Sequence, residues 1–205
     1  MNKILENIPD KREYKETTSL KFKKDLIECF SDIGKDLTVL EVGTNHGHTT
    51  RILSFIFDKV ITMDWREEPN LRMAKELNKD RDNITYIEKD VYQEEWKIDK
   101  FDVAFIDAAH TYECVKSDIS NCLNYGENSL YFIFDDYGHP TSTGPYQAVN
   151  ECLQNDKNFE LVTYIGEPEG TKLWENFGKS HSLKDWEGII CKVERKQGWW
   201  EEKDE

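Results

Sequence analysis

The sequence predicts a single doubly wound α/β domain whose mostly parallel sheet ends in an antiparallel edge hairpin. Three observations predict it. Short apolar runs of strand length recur along the chain and end in polar residues, and stretches with helical spacing lie between them. A chain of 205 residues is long enough for one sizeable core and short for two. Alternating strand and helix is the pattern that right-handed crossovers turn into a parallel sheet.

The elements can be justified in order. After a polar leader, residues 19–33 set Leu20, Phe22, Leu26, Ile27, Phe30 and Ile33 at mixed helical spacings and end at Gly34, a C-cap residue. This helix is expected to cover one edge of the sheet. The runs TVLEVG (38–43), KVITMDW (59–65), ITYIEKD (84–90), FDVAFID (101–107) and SLYFIFDD (129–136) read as buried strands. Helices are expected at 49–57, 71–79 and 112–123, with a short turn after Asp90. A further helix at 146–154 leads to FELVTYIG (159–166), and a loop with glycine and proline leads to GIICKVE (188–194), the two arms of the edge hairpin. Residues 1–36 are thus a leader and helix, 37–195 the domain, and 196–205 an acidic tail.

Composition narrows the function. A hydrophobic content of 38% with six Trp, nine Tyr and ten Phe excludes wholesale disorder. The 41 acidic and 27 basic side chains leave a net charge of -14, which repels a phosphate backbone, and no Lys/Arg stripe reverses it locally. Nucleic acid is therefore not an expected partner. No apolar run approaches the roughly 20 residues that span a bilayer, and the first residues lack the apolar centre of a signal peptide. No membrane association and a cytoplasmic location are expected. The five cysteines are scattered, without a CxxC pair, and read as reduced structural thiols. Oligomeric state stays open, because the first helix and the Trp-containing C-terminal segment suit either an interface or a cover.

The first strand runs into VLEVGTNHGHTT, where Gly43 and Gly47 bracket a tight turn before a helix, with Glu41 ahead of it and Thr44 and Asn45 inside it. Glycine lets a ligand approach the backbone, and a helix N-terminus offers free N–H groups. The dinucleotide fingerprint would need glycine at positions 43, 45 and 48, and only the first is present. Asp64 ends the second strand about twenty residues on, where a carboxylate accepts from both hydroxyls of a ribose. Trp65 beside it can pack on an adenine face, and Asp90, followed by Val91, is placed to meet an exocyclic amine.

Acids at the ends of the first four strands, beside a glycine turn, resemble the class I S-adenosylmethionine-dependent methyltransferases over residues 37–195. The order Glu41-x-Gly43-x-x-x-Gly47, then Asp64, Asp90 and Asp107, carries the resemblance. It implies a Rossmann-like sheet, with Glu41 near the methionine amino group, Asp64 on the ribose and Asp90 by the adenine. Gly43, Thr44, Asn45, Gly47, Trp65, Val91 and Asp107 would complete the cofactor site. Asn45 stands where the usual loop has its middle glycine, a substitution shared with metal-dependent O-methyltransferases.

A second constellation, FIDAAHTYECVKSDI followed by YFIFDDYGH, resembles the branch of that family holding macrocin-type sugar O-methyltransferases and, more distantly, catechol O-methyltransferase. That resemblance implies one Mg²⁺ held by Asp107, Asp135 and Asp136. The chemistry is sensible without it, since three gathered carboxylates repel one another unless a hard cation sits between them. Adjacent strand residues point to opposite faces, so Asp135 and Asp136 converge only where the strand breaks; Gly138 and Pro140 are expected to supply the break. A metal-bound hydroxyl has a lowered pKa and needs only a modest base. His110 is the candidate base, acting with Asp107 as the catalytic pair.

Plainer roles compete for these residues. Aspartate also caps helices and shapes turns. His110 has the alternative of bonding a backbone carbonyl or Glu113. His46 and His48 are assigned no metal, and His139 suits a turn before Pro140. Trp174, Phe177 and Trp186 flank the edge hairpin and suit either packing under a long loop or lining an acceptor pocket. The leading expectation is Mg²⁺-assisted methyl transfer from S-adenosylmethionine to a hydroxyl of a small-molecule acceptor such as a sugar or polyol. One alternative is a non-catalytic S-adenosylmethionine- or nucleoside-binding protein of the same fold. A nicotinamide-dependent oxidoreductase with an altered glycine loop is a second, against which the incomplete fingerprint counts.

Overall fold

A computed structural model describes residues 17–65, 69–173 and 181–195. Most of the expected leader, the acidic tail, Trp174 and Phe177 lie outside the described residues. In chain order the elements are α1 (Leu20–Phe30), β1 (Thr38–Val42), α2 (His48–Ile56), β2 (Lys59–Asp64), α3 (Pro69–Leu77), β3 (Ile84–Glu88) and β4 (Val103–Ile106). There follow α4 (Tyr112–Tyr125), β5 (Ser129–Phe134), α5 (Gly144–Asn155), β6 (Phe159–Ile165), β7 (Lys172–Leu173), β8 (His181–Ser182) and β9 (Gly188–Glu194).

Seven strands form one sheet in the order β3-β2-β1-β4-β5-β9-β6, and β7 and β8 form a separate short ladder. The first five strands pair in parallel, while β9 runs antiparallel to both β5 and β6. The expected edge hairpin is present, with β9 inserted beside β5 and β6 left as the outer strand. A bulge between Leu161 and Thr163 bends that edge, a device that discourages pairing with other chains.

Alternation along the strands explains the layers. Val39, Val60, Val103, Phe105 and Ile133 face one side, where Phe22, Leu26 and Phe30 of α1 and Ile52, Leu53 and Ile56 of α2 cover them. Leu40, Val42, Ile61, Ala104, Phe132 and Phe134 face the other, under Val115 and Ile119 of α4 and Ala148 and Val149 of α5. Both faces of β1 and β4 are therefore buried, which is why those runs read as continuously apolar. No described helix is long and apolar enough to cross a membrane.

Two local expectations are corrected. The first helix stops at Phe30 rather than running to 33, and Gly34–Asp36 forms a 3-10 turn instead of a glycine C-cap. The loop before β9 contains the β7–β8 ladder, whose strands of two residues are too short to leave a period in the sequence.

The strand order reverses between β1 and β4. The chain leaves β1 for β2 and β3 on one side and returns to β4 and β5 on the other, so the loops after β1 and β4 diverge over a crevice. The candidate site lies in that crevice.

Candidate active site

A cavity of about 720 Å³ opens over the C-terminal ends of β1 to β5. The loop after β1 forms one wall, and its shape follows from three backbone positions. Gly43 (φ 102), Asn45 (φ 44) and Gly47 (φ 77) all adopt left-handed or related positive-φ conformations. A Cβ on Gly43 would lie 2.0 Å from the carbonyl oxygen of Asp107, so glycine lets the loops after β1 and β4 touch. Asparagine is among the few other residues that enter this region readily. Asn45 thus takes a left-handed conformation more usual for glycine.

Asp64, at the end of β2, stabilises the loop and faces the cavity. Its Oδ2 accepts from the Asn45 N–H at 2.7 Å and its Oδ1 from the Trp65 N–H at 2.7 Å. Each oxygen retains a lone pair for a ligand hydroxyl. Gly43, Asn45, Asp64, Trp65, Asp90 and Val91 all line the cavity. Asp90 Oδ1 also accepts from the Tyr92 N–H at 3.0 Å, which fixes the turn after β3.

Three expected cofactor residues are placed beneath this wall and not in it. Glu41 is fully buried, and its Oε2 accepts from the hydroxyls of Thr50 at 2.6 Å and Thr62 at 2.5 Å. Thr44 is buried with its hydroxyl 2.6 Å from that of Thr62. Because the Thr62 proton goes to Glu41, Thr44 is the donor in that contact, and the chain of bonds ties the loop down from below. Burial pushes the Glu41 carboxyl up to about 8, against the pull of the two threonine hydroxyls. Gly47 caps α2, where a Cβ would lie 2.6 Å from the Ala74 Cβ, so it sets the approach of α3.

At the other end of the cavity stand Asp107, His110, Asp135 and Asp136. Strand β5 ends at Phe134, and Asp136 itself adopts φ 54. The break that turns both aspartates into the cavity is therefore made at Asp136, upstream of Gly138 and Pro140, where it had been expected. His110 sits between two carboxylates, with Nδ1 3.1 Å from Asp136 Oδ2 and Nε2 3.4 Å from Asp107 Oδ1. Nε2 is buried and makes no hydrogen bond of acceptable geometry.

Burial lifts Asp107 to about 6, opposed by its contact with His110 and reinforced by the Asp136 charge. Asp135 is held well above the usual carboxylate range by burial, with Asp107 and Asp136 adding to it. Burial works against a charge on His110, but the flanking carboxylates outweigh it and its pKa is raised. The three carboxylates expected as metal ligands thus share one end of the cavity. As placed, they do not form a ready metal centre: among the described residues no group of three Asp, Glu, His or Cys side chains is arranged to hold an ion.

Several lining residues carry no signal in the sequence. Thr17 and Thr18, from the segment before α1, reach the cavity, as does Glu187 from the turn before β9. Tyr92 lines it too; its hydroxyl donates to the buried Asp118 Oδ2 at 3.3 Å and accepts from the Ala109 N–H at 3.2 Å, linking the turn after β3 to the loop after β4. Cys114, expected to be purely structural, also borders the space. His139 closes a turn as expected, its Nδ1 accepting from the Ser142 N–H at 3.1 Å. Trp186 stacks on Tyr164 with ring centroids 6.1 Å apart, a packing role.

Residues 40–137 match the model of a family described as a methyltransferase domain. No curated protein sequence matches the chain. Among solved structures, an S-adenosylmethionine-dependent O-methyltransferase from Thermotoga maritima superposes with a TM-score of 0.64 at 15% identity, over 93% of this chain and 72% of that one. The O-methyltransferase TomG from Streptomyces achromogenes, solved with S-adenosylmethionine, gives 0.63 at 12% identity, over 94% and 89%. An O-methyltransferase from Bacillus cereus in complex with S-adenosylhomocysteine gives 0.60 at 17% identity, over 95% and 90%. The strand order, the glycine turn and the match over residues 40–137 together give this chain the fold of the class I S-adenosylmethionine-dependent methyltransferases.

Proposed function

We propose that the protein transfers a methyl group from S-adenosylmethionine to a hydroxyl of a small molecule. One observation carries the reading: a single cavity has a glycine turn with Asp64 and Asp90 at one end and a histidine held between carboxylates at the other. The first end suits a nucleoside, because Asp64 has acceptor capacity left after fixing the loop and Gly43 keeps the backbone open to close approach. Bound there, S-adenosylmethionine supplies a methyl group on a sulfonium sulfur that leaves as a neutral thioether.

His110 is the base in this reading. With Nδ1–H donated to Asp136, Nε2 carries the lone pair; buried beside Asp107 as placed, the ring has to turn toward the cavity for Nε2 to take the proton of the acceptor hydroxyl. Asp107 beside Nε2 stabilises the imidazolium that results. Asp107, Asp135 and Asp136 together have the donor chemistry of a Mg²⁺ site, which they would form once their side chains turned to one point. Held there, Mg²⁺ would lower the pKa of a bound hydroxyl.

Calorimetric titration of S-adenosylmethionine, compared with NAD, tests the cofactor assignment. Micromolar binding of the first and none of the second is expected; the absence of S-adenosylmethionine binding rejects the reading. Asp136→Ala should leave that binding within about threefold and abolish transfer of labelled methyl groups. Full turnover of the wild type in chelator would remove Mg²⁺ from the scheme while leaving the methyl transfer.

A further inference from the structure

We propose that Asp118 and Tyr92 are positioning residues for the transfer, and that together they hold in place the loop 107–111, which carries Asp107 and His110. The inference rests on the methyl-transfer reading, which makes His110 the base.

The first observation is a carboxyl where an apolar side chain is expected. Asp118 lies on the buried face of α4 with Val115, Ile119 and Cys122, and it is fully inaccessible. Its Oδ2 accepts from the Tyr92 hydroxyl at 3.3 Å, and its Oδ1 makes no hydrogen bond among the described residues. Burying a carboxyl beside one neutral donor costs stability that an apolar residue would not lose, so Asp118 contributes through Tyr92 rather than through packing.

Tyr92 stands on a fixed base. Its N–H donates to Asp90 Oδ1 at 3.0 Å, and the carbonyl of Val91 accepts from the indole N–H of the buried Trp96 at 2.9 Å. A phenol has a single proton, and burial together with the Asp118 charge raises the Tyr92 pKa, so that proton stays on the oxygen. An ionised Asp118 can only accept. It therefore takes the phenol proton and leaves a lone pair of Oη for the Ala109 N–H, 3.2 Å away.

The second observation is how the loop is held elsewhere. A Cβ on Gly43 would lie 2.0 Å from the carbonyl oxygen of Asp107, and a Cβ on Gly144 would lie 2.4 Å from that of His110. Both ends of the loop are thus packed against backbone, and Tyr92 holds its middle through Ala109. Without that bond the peptide units on either side of Ala109 are free to rotate, and the imidazole moves relative to Asp107 and Asp136. Methyl transfer in line with a departing sulfur tolerates little misplacement of the base.

The test is made by NMR on the whole protein carrying Tyr92→Phe, which keeps the ring and removes the hydroxyl. Exchange of the Ala109 amide with solvent should become faster by roughly tenfold or more, while that of Cys122 on the buried face of α4 stays unchanged. The His110 Cε1–H signal should shift and broaden. Burial lifts the Asp118 carboxyl to about 7 against the pull of the Tyr92 hydroxyl and the His110 charge, so in the variant it should titrate higher still. With the ring retained, a role in packing alone would move neither signal. Asp118→Asn keeps an oxygen to accept from Tyr92 and should leave Ala109 exchange within about threefold of wild type, whereas Asp118→Leu should behave as Tyr92→Phe. Calorimetric affinity for S-adenosylhomocysteine should stay within about threefold in Tyr92→Phe, because Asp64 and the glycine turn are untouched. Absence of that binding in the wild type would reject the methyl-transfer reading, while the exchange and carboxyl measurements, which need no ligand, would still decide the hold on the loop. Unchanged Ala109 exchange in Tyr92→Phe, an unmoved His110 signal, or an equal acceleration at Cys122 overturns the proposal.

Discussion

At the scale of single residues, Glu41 is the clearest case of a carboxyl whose role depends on burial. The folded protein retains its proton up to about pH 8, whereas an exposed glutamate loses it near 4.5. Between those values unfolding releases a proton, so the stability contributed by the protonated group is complete below about pH 4.5 and is lost as pH rises through 8. Glu41→Gln keeps an oxygen to accept from Thr50 and Thr62 and removes the titration. The variant should therefore be relatively more stable than the wild type at pH 9 than at pH 5. The shift in relative stability should be a few kcal/mol, at about 1.4 kcal/mol per pH unit. Urea unfolding at the two pH values measures it, and parallel pH profiles would show that Glu41 is already ionised in the native state. Asp64→Ala makes the complementary prediction at the cavity surface. It deletes the acceptor of two backbone N–H groups and should weaken S-adenosylmethionine binding by at least about tenfold, or about 1.4 kcal/mol, by calorimetry. The acids at strand ends were legible because a buried strand ends visibly where the apolar run meets a charge. That Glu41 supports the loop from beneath was not, because the partners that claim its carboxyl lie 9 and 21 residues away on other elements.

At the scale of elements, the turn between β1 and α2 shows how sequence spacing becomes geometry. Gly43 and Gly47 were readable as a turn, but their separate tasks emerge only from packing. Gly43 lets the β1 and β4 loops meet, and Gly47 lets α3 lie against the start of α2, with Asn78 Nδ2 donating to its carbonyl at 3.0 Å. Gly47→Ala would both force an alanine into φ 77 and drive a methyl group into Ala74, so a loss of about 2–4 kcal/mol is expected in denaturant unfolding. A loss below about 0.5 kcal/mol would mean that α3 yields easily at this contact. The break after β5 gives the opposite lesson. Gly138 and Pro140 are conspicuous in the sequence, yet the left-handed backbone falls on Asp136, a residue whose type only weakly signals it. The contact of His110 with Asp136 depends on that turn and was hidden for the same reason.

At the scale of the whole molecule, the cavity is built from segments distant in the chain. The turns after the first five strands, the residues before α1 and the turn before β9 all contribute to it. The doubly wound sheet was legible because its local periods alternate, and the crevice follows from the reversal of strand order. The contribution of Thr17, Thr18 and Glu187 was not legible, because Ser19 and Glu187 are 168 positions apart and no spacing rule joins them. A ligand that touches the turns after β1, β2 and β3 binds only when they are folded together, so its binding energy adds to the stability of the whole domain. At about 100 times its Kd, S-adenosylmethionine should add about 2.7 kcal/mol and raise the melting temperature by about 5–10 °C for a chain of this length. NAD at the same concentration should leave the melting temperature within about 1 °C, since the glycine pattern for its pyrophosphate is incomplete. Asp64→Ala should lower the S-adenosylmethionine-induced rise by about half, because a tenfold weaker Kd removes about 1.4 kcal/mol of that linkage at the same ligand concentration. An unchanged rise in Asp64→Ala would place the ligand elsewhere, whereas equal rises with S-adenosylmethionine and NAD would identify general nucleoside binding and favour the non-catalytic alternative.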